Sequence, residues 1–396
     1  MDQGPGTDQG PRTDEGPRPK DQGPSEGVSF VVPVRNGARL IAETLKSIAA
    51  QADGRPLELI VVDDGSEDET WEVLGAFRQR LEESMPVTMM RCDGVGAAAA
   101  INAGVALARY PIVCQVDQDV RIHPGWLRVL CEAFADPMVG AAQGWYATDP
   151  GASICSRVMG LDLEQRYVSI SGETDHVCTG NTAYRTEALR RVGLFDESMG
   201  YGYDNDMSYR LRAAGYRLKF CPGARAFHRW RDGLVGYVVQ QYGFGYGRID
   251  IVAKHRRRFT GDRVSPAIMM LHPVVMLLAL CAFAAAVSAG ALGLPAGRLF
   301  GITAVLIGAL IVERLSAAGR AVGRFRDRAA WLFPLLHLVR DLAWVAAIVV
   351  WVTRLLRGRP RQPSHSMQPR PIRLLIASRG GRPTRRWRRR SLLQTD

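Results

Sequence analysis

The stretch Ile112-Val113-Cys114-Gln115-Val116-Asp117-Gln118-Asp119 joins a short apolar run to two carboxylates that stand one residue apart. Such a run predicts a buried strand, and open α/β sheets place their ligand crevice at the carboxyl ends of their strands. Paired carboxylates are the oxygen ligands that Mg²⁺ and Mn²⁺ prefer, and these ions usually complete their shells with water and substrate phosphates. The stretch therefore predicts a metal-assisted nucleoside-diphosphate site. The alternative is that Asp-x-Asp serves only as turn chemistry.

Two earlier segments repeat the pattern of an apolar strand that ends in polar residues. Val28–Val32 leads into Pro33-Val34-Arg35-Asn36-Gly37, and Leu57–Val62 leads into Asp63-Asp64-Gly65-Ser66. The first strand is followed by apolar residues at helical spacing, namely Leu40, Ile41, Leu45 and Ile48. This spacing predicts a helix between the strands. Strands that alternate with helices indicate an α/β fold with a parallel, wound sheet.

These segments resemble those of the family-2 glycosyltransferases of the GT-A fold, and they occur in the family's order from about Val28 to His255. The remaining segments of the match are Gly96, Ala100, Asn102 and Gly104; Gly180-Asn181-Thr182-Ala183-Tyr184-Arg185; Val192-Gly193-Leu194-Phe195-Asp196-Glu197; Asp204-Asn205-Asp206-Met207, Arg210-Leu211 and Gly215-Tyr216; and His228. The resemblance implies a GT-A type wound, mostly parallel sheet flanked by helices. It also implies an inverting transferase that takes a sugar from a nucleotide-diphosphate sugar donor.

The resemblance further implies a role for individual residues. Asp117 and Asp119 would bind the Mg²⁺ or Mn²⁺ that bridges the donor diphosphate, and His228 would complete that site from a later loop. Alternatively, His228 is a packed structural residue beside Trp230. The residues expected to hold the donor are Pro33, Arg35, Asn36, Asp63, Asp64, Gly96, Asn102, Gly180, Asn181 and Asp206. For Asp206 the task could also be to orient its loop or to contact the acceptor.

Asp204 is the expected catalytic base. Inverting transfer needs a group that takes the proton of the acceptor hydroxyl on the face opposite the leaving nucleotide, and the family supplies it from the Asp of a Glu-Asp pair. Here Tyr203 occupies the Glu position. The alternative is that Asp204 and Asp206 cap a helix that runs from Met207 to Ala214, and both roles can hold at once.

Two other departures from the family pattern bear on function. Ile101 stands where the family commonly has a phosphate-facing Arg, so that task would pass to Arg35, Arg91 or Arg185. The Gln-x-x-Arg-Trp motif of processive synthases is missing, since Ala226 stands in place of its Gln. A single-sugar transferase is therefore favoured over a polymerase.

Composition divides the chain into four parts. Residues 1–26 repeat Asp-Gln-Gly-Pro units without core-forming residues, which predicts a disordered tail. Residues 27–258 form the expected catalytic domain, 259–353 the membrane helices and 354–396 a basic, largely disordered tail. Seven cysteines without a close pair indicate neither a disulfide framework nor a zinc knuckle, and they suit a reducing cytoplasm.

Three apolar runs follow the catalytic domain. Ala267–Leu292 contains no charged side chain and is long enough to span a bilayer. Leu299–Val312 is a second run, long enough only if it begins near Leu294. Trp331–Val352 is a third, interrupted by His337, Arg340 and Asp341. A buried core helix is the alternative for each.

Charge predicts the topology. From Arg354 onward the chain has 13 Arg against one Asp, which accounts for its entire net charge of +12. Such a tail belongs on the cytoplasmic side, and so does an expected loop from Arg314 to Arg328. Two full spans satisfy this, with the third run as an interfacial or re-entrant helix. The expected location is therefore the cell membrane, as a multi-pass protein with a cytoplasmic catalytic domain.

The expected partners are the nucleotide-sugar donor, a glycan or lipid-linked acceptor, and the membrane. Nucleic acid is not expected, because no recognition module accompanies the basic tail. The aromatic segment Tyr237–Arg248 is expected either to lie in the membrane interface or to pack against the catalytic domain. Two functional alternatives stay open: a polyprenyl-phosphate sugar transferase, and a catalytically silent membrane scaffold that binds a nucleotide sugar.

Overall fold

The computed structural model describes residues 27–358. The repeats predicted to be disordered at 1–26, and the basic tail from residue 359 onward, lie outside the described residues. The strands are β1 Val28–Val34, β2 Leu57–Asp63, β3 Val87–Arg91, β4 Ile112–Val116, β5 Val120–Ile122, β6 Val139–Ala147, β7 Gly172–Thr174, β8 Asn181–Arg185 and β9 Arg217–His228. The helices of the same part are α1 Ile41–Ala49, α2 Thr70–Glu82, α3 Ala97–Leu107, α4 Trp126–Glu132, α5 Ile154–Tyr167, α6 Thr186–Arg191, α7 Tyr203–Ala213 and α8 Gly233–Lys254. Three further helices follow them: α9 Ala267–Ala291, α10 Gly297–Phe325 and α11 Phe333–Leu356.

All nine described strands belong to one sheet. The order is β3-β2-β1-β4-β8-β6-β9-β5, with β7 paired to β9. Strands β1 to β4 pair in parallel, whereas β8 is antiparallel to both of its neighbours, β4 and β6. The predicted wound α/β sheet flanked by helices is confirmed, and its second half makes it a mixed sheet.

Helices cover both faces of the parallel half. Phe30 and Val32 pack in one core cluster with Ile41 and Leu45 of α1, while Val31 packs in the other with residues of α3. Strands covered on both faces are apolar at most positions, which explains the apolar residues of Val28–Val32. Its one polar residue, Ser29, is buried and donates a hydrogen bond to Glu58 of β2 at 2.6 Å. The polar residues of the candidate site follow the ends of these strands.

The three C-terminal helices are each long and apolar enough to cross a membrane. Helix α10 continues to Phe325, so the expectation of a loop beginning at Arg314 is wrong. Arg314 is fully buried and forms an ion pair with Asp341 of α11, which in turn lies 3.5 Å from Arg340. A charged side chain can remain within an apolar bundle when it is paired in this way.

Helix α8 joins the catalytic part to these helices. Tyr237 donates a hydrogen bond to the Leu336 carbonyl at 2.9 Å, and Trp351 donates to Asp250, also at 2.9 Å. The opposite side of α8 exposes apolar side chains, including Val235 and Val239. One face of α8 is thus packed, although against α11 rather than the catalytic part alone, and the location of the segment Tyr237–Arg248 in the membrane interface stays a prediction.

Candidate active site

Two strand ends bring Asp117, Asp119 and His228 together. The first two follow β4, and His228 ends β9, where it pairs with Val120 in the antiparallel ladder. One ligand atom from each of the three side chains lies within 4.8 Å of the others. The closest measured approach is 3.5 Å, between His228 Nε2 and Asp119 Oδ1.

The charges of this trio suit a divalent cation. Burial raises the pKa of Asp117 to about 6, and the charge of Asp119 adds to the rise; burial likewise raises the pKa of Asp119 to about 6. Burial lowers the pKa of His228 to about 4, so its imidazole is neutral at physiological pH and can act as a ligand. Two carboxylates that repel each other beside a neutral imidazole form a donor set that fits Mg²⁺ or Mn²⁺.

The ring of His228 is held by its neighbours. Trp230 lies 4.1 Å from it and Tyr146 lies 5.3 Å from it, measured between ring centroids. Its Nδ1 is buried and has no hydrogen-bond partner among the described residues. The ring is thus packed, as the structural alternative requires, and it also presents a nitrogen to the two carboxylates.

Gly180 forms the wall behind Asp117. Its φ is +88°, a conformation that favours glycine, and a Cβ there would stand 2.3 Å from Asp117 Oδ2. On the other side, Gln115 donates a hydrogen bond to Asp117 Oδ1 at 2.7 Å. The carboxylate is therefore fixed from two directions.

Gln118, between the two acids, ties their loop to the end of β1. Its Oε1 accepts from the Arg35 backbone N–H at 2.7 Å, and its Nε2 donates to the Arg35 carbonyl at 3.1 Å. The loop that carries the candidate metal ligands and the loop expected to hold the donor therefore form one hydrogen-bonded unit.

The acids at the end of β2 shape the neighbouring loops. Asp64 accepts from the backbone N–H groups of Val95 at 2.6 Å and Gly96 at 3.0 Å, and it lies 3.7 Å from Arg35. Burial raises the pKa of Asp64, while these backbone hydrogen bonds oppose the rise. Asp63 is fully buried; it accepts from the Ser66 backbone at 2.9 Å and pairs with Arg91 at 3.1 Å.

Other predicted donor-site residues lie around the same edge. Asn36 has a left-handed φ of +50° and accepts from the Glu67 backbone at 2.8 Å. Pro33 pairs with Val62 inside the parallel ladder. Asn181 accepts from Trp126 Nε1 at 2.6 Å, which leaves its buried Nδ2 without a partner among the described residues. These residues and Arg35 lie at or near the strand ends, and their role in holding the donor stays a prediction.

Two predicted donor residues have polar atoms that are engaged by other parts of the chain. The amide of Asn102, on α3, makes two 2.9 Å hydrogen bonds with the Phe195 backbone. Asp206, on α7, is fully buried and forms ion pairs with Arg210 at 2.8 Å, Lys254 at 2.7 Å and His255 at 2.8 Å. These contacts order the surrounding segments, and a role of either residue in holding the donor stays a prediction.

Asp204 lies in the first turn of α7. The helix was expected to begin at Met207 but begins at Tyr203, preceded by Gly202 with a left-handed φ of +79°. Asp204 Oδ1 accepts from the Asn205 backbone at 2.9 Å. Its charge adds to the raised pKa of Asp117, after the larger effects of burial and Asp119. The expected base is thus near enough to the expected metal ligands for its charge to act on Asp117.

His176 is a neighbour of Asp204 that the sequence reasoning missed. Its Nε2 lies 3.6 Å from Asp204 Oδ2 and its Nδ1 lies 3.7 Å from Asp262 Oδ1. Burial alone would lower the pKa of His176, but Asp262 and then Asp204 raise it overall. Asp262 is itself held by Tyr209 at 3.0 Å and Arg248 at 3.3 Å. The only signal in the sequence is a histidine four residues before Gly180.

Family models match most of the described chain. The model of glycosyl transferase family 2 matches residues 29–193, and that of glycosyl transferase family group 2 matches residues 112–358. The pre-mycofactocin glycosyltransferase of Mycobacterium tuberculosis is 30% identical over 257 residues, which cover 62% of this chain and 51% of that protein. The poly-beta-1,6-N-acetyl-D-glucosamine synthase of Staphylococcus aureus is 24% identical over 236 residues, which cover 58% of this chain and 56% of that protein. The chain spans about half the length of the curated relatives it matches.

A solved structure has the same fold. The mannosyltransferase of Pyrobaculum calidifontis, in complex with GDP-Man and Mn²⁺, matches with a TM-score of 0.54 and 21% sequence identity. The match covers 85% of this chain and 90% of that one. The likeness extends beyond the sheet, because an alignment that covers 85% of this chain must include part of the C-terminal helices.

Proposed function

The chain belongs to the family-2 glycosyltransferases, and we propose that it is a membrane-anchored, inverting, metal-dependent enzyme that transfers a single sugar. The donor is a nucleotide-diphosphate sugar, and the acceptor is a hydroxyl of a glycan or a lipid-linked molecule. One observation carries the proposal: Asp117, Asp119 and His228 converge at the sheet edge, and the charge of Asp204, in the first turn of α7, acts on Asp117. The GDP-Man and Mn²⁺ bound by the mannosyltransferase of the same fold are consistent with it.

Each residue has a defined task in this reaction. Asp117, Asp119 and His228 hold a Mg²⁺ or Mn²⁺ ion, which when bound neutralises the negative charge of the departing diphosphate. Arg35, Asn36 and Asp64 surround the nucleotide. Asp204 takes the acceptor proton as the acceptor oxygen attacks the anomeric carbon.

The proposal is tested with the purified full chain and a panel of nucleotide sugars, with and without Mn²⁺. We expect donor hydrolysis or transfer that requires the metal and that falls about 10²–10⁴-fold in Asp204→Asn, the range that a general base supplies. Nucleotide binding should persist in that variant. It is measured as the rise in thermal stability that a ligand of the folded state causes. The conservative amide keeps the size of the side chain and its hydrogen bond to the Asn205 backbone.

Two outcomes would contradict the proposal. Full activity in Asp204→Asn would show that Asp204 is not the general base. Nucleotide binding without turnover of any donor would favour the silent scaffold, for which Tyr203 and Ile101 are the relevant departures from the family pattern.

A further inference from the structure

A cavity of about 180 Å³ extends from Asp204 into the join between the catalytic part and the membrane helices. Asp204, His176 and Cys178 line one part of it, and most of the other lining residues come from α5, α8 and α11. The three candidate metal ligands do not line it. The cavity thus lies on the acceptor side of the expected base, where a molecule would present its reacting hydroxyl.

The walls of the cavity are mainly apolar. They include Met159 and Leu163 of α5, Phe244 of α8 and Trp344 of α11. Tyr237 also lines the cavity, but its hydroxyl is already engaged with the Leu336 carbonyl at 2.9 Å. An occupant made of sugar or peptide would lose its hydrogen bonds to water here without replacement, which is costly. An apolar body would gain from the same surroundings.

The charged side chains of the lining are already paired. Asp162 lies 3.2 Å from Arg166, 3.5 Å from His337 and 3.7 Å from Arg340. Arg248 lies 3.3 Å from Asp262. An anionic occupant would have to compete with these carboxylates for every arginine of the lining. The negative charge of Asp204 would also repel it. The lining therefore disfavours a phosphate and accepts a neutral molecule.

The geometry points to an uncharged amphiphile as the acceptor, with its hydroxyl at Asp204 and its apolar body between α5, α8 and α11. This inference rests on the proposed function, because it needs a sugar donor on the other side of Asp204. In the reaction, the acceptor oxygen bonds to the anomeric carbon and its proton passes to Asp204. The bond between that carbon and the diphosphate oxygen breaks, and the nucleoside diphosphate leaves with the electron pair.

The test uses the full chain in phosphatidylcholine nanodiscs, since glycoside detergents would themselves be acceptors, with a donor that the enzyme hydrolyses. Three probes are compared: octyl β-glucoside, glucose and farnesyl phosphate. The first two differ in the apolar body, and the last replaces the hydroxyl by a lipid phosphate. We expect kcat/KM for octyl β-glucoside to exceed that for glucose by about tenfold or more, as burial of two or more methylenes would supply, and no transfer to farnesyl phosphate.

The outcomes separate this inference from the proposed function. Equal kcat/KM for octyl β-glucoside and glucose, preferred transfer to farnesyl phosphate, or donor hydrolysis without transfer to any probe would each overturn the inference. The last of these would leave the proposed donor site intact. Failure to hydrolyse any donor would instead overturn the proposed function.

A pair of variants tests the location of the acceptor. Met159→Trp fills the cavity from α5, and we expect it to lower kcat/KM for octyl β-glucoside about tenfold or more. The matched control is Leu278→Trp on α9, where the wild-type residue is 54% exposed and does not line the cavity. The kcat/KM of this control should be unchanged. Nucleotide-induced thermal stabilisation reports whether each variant is folded. A folded Met159→Trp enzyme with unchanged kcat/KM would overturn the assignment, and the probe comparison stands without this variant.

Discussion

The carboxylate of Asp117 can occupy its position only because residue 180 has no side chain. Gly180→Ala would place a methyl group 2.3 Å from Asp117 Oδ2, so the carboxylate must move. Displacement of a reacting or binding group by about 1 Å can cost roughly 100-fold in rate. We therefore expect Mn²⁺-dependent donor turnover to fall by about that factor, measured as initial rate against Mn²⁺ concentration.

Gly172 provides the matched control for this substitution. It also has a positive φ, of +66°, but a Cβ there meets no atom within 4 Å. Gly172→Ala should therefore show only the backbone strain, roughly 1–2 kcal/mol of stability, with an unchanged Mn²⁺ dependence. Equal loss of activity in both variants would mean that backbone strain, and not the contact with Asp117, is responsible.

His176 should make stability depend on pH. Its pKa is raised in the folded protein, since Asp262 and Asp204 outweigh the effect of burial. A raised pKa means that the folded state holds the proton more tightly, so the stabilisation is complete below the ordinary value of about 6.5 and is lost as pH rises through the folded value. We expect the denaturation midpoint of the wild type to fall over this range more than that of His176→Gln.

His123→Gln is the control for that measurement. The exposed ring of His123 packs 5.5 Å from Phe227, measured between centroids. Its substitution shows what the removal of a histidine outside the pair of carboxylates does to stability. A His176→Gln profile identical to the wild-type profile would show that the two carboxylates do not hold the proton.

Helices α8 and α11 are joined by a close backbone approach. A Cβ on Gly245 of α8 would stand 2.9 Å from the Cα of Trp344, which cannot move aside without shifting α11. Gly245→Ala should therefore destabilise the protein by about 1–3 kcal/mol, the usual cost of overpacking. The measurement is thermal unfolding of the full chain in nanodiscs.

Gly308 of α10 serves as the comparison, because a Cβ there meets no atom within 4 Å. Gly308→Ala should be neutral or stabilising by up to about 1 kcal/mol, through helix propensity. Stabilisation of both variants would indicate that α8 and α11 are not in close contact in the membrane-bound protein.

Elements with a strong local pattern could be predicted from the sequence. The runs Val28–Val32, Leu57–Val62 and Ile112–Val116 correspond to β1, β2 and β4, because strands buried on both faces are mostly apolar. The extent of α10 could not be predicted, since Arg314 looks like a loop residue until its partner Asp341, 27 positions away, is known. The start of α7 was missed because Gly202 marks it by conformation and not by a side-chain cap.

The candidate site shows the same division between local and long-range information. Asp117 and Asp119 could be located because a strand delivers them directly. The engagement of Asn102 with Phe195, 93 positions away, and the position of His176 between Asp204 and Asp262 depend on contacts distant in sequence. Contacts between residues so far apart in sequence cannot be predicted from a short motif.

The packing of α11 along α8 predicts on which side of the membrane the C-terminal tail lies. Helix α11 runs beside α8 in the same direction, from the contact of Leu336 with Tyr237 to that of Trp351 with Asp250. Because α8 is continuous with the catalytic part, a helix bound along its length stays at the same membrane surface, and the basic tail favours the cytoplasmic side. We expect a C-terminal tag and the catalytic domain to be digested by protease from the same side of sealed vesicles.

Protection of the tag on one side and of the catalytic domain on the other would mean that α11 crosses the bilayer. A tag at residue 1 is the control in this experiment, since it marks the side of the catalytic domain. Resistance of the chain to extraction by alkaline carbonate, expected from the exposed apolar faces of α9 and α10, should be checked on the same vesicles.

The two hydrogen bonds between Gln118 and Arg35 have a thermodynamic consequence. They make the loop proposed to hold the nucleotide and the loop proposed to hold the ion adopt their conformations together. By reciprocity, any factor by which the ion tightens nucleotide affinity is the factor by which the nucleotide tightens ion affinity. Scarcity of either ligand in the cell would then limit occupancy by both, and the protein would respond to the concentration of the ion–nucleotide complex.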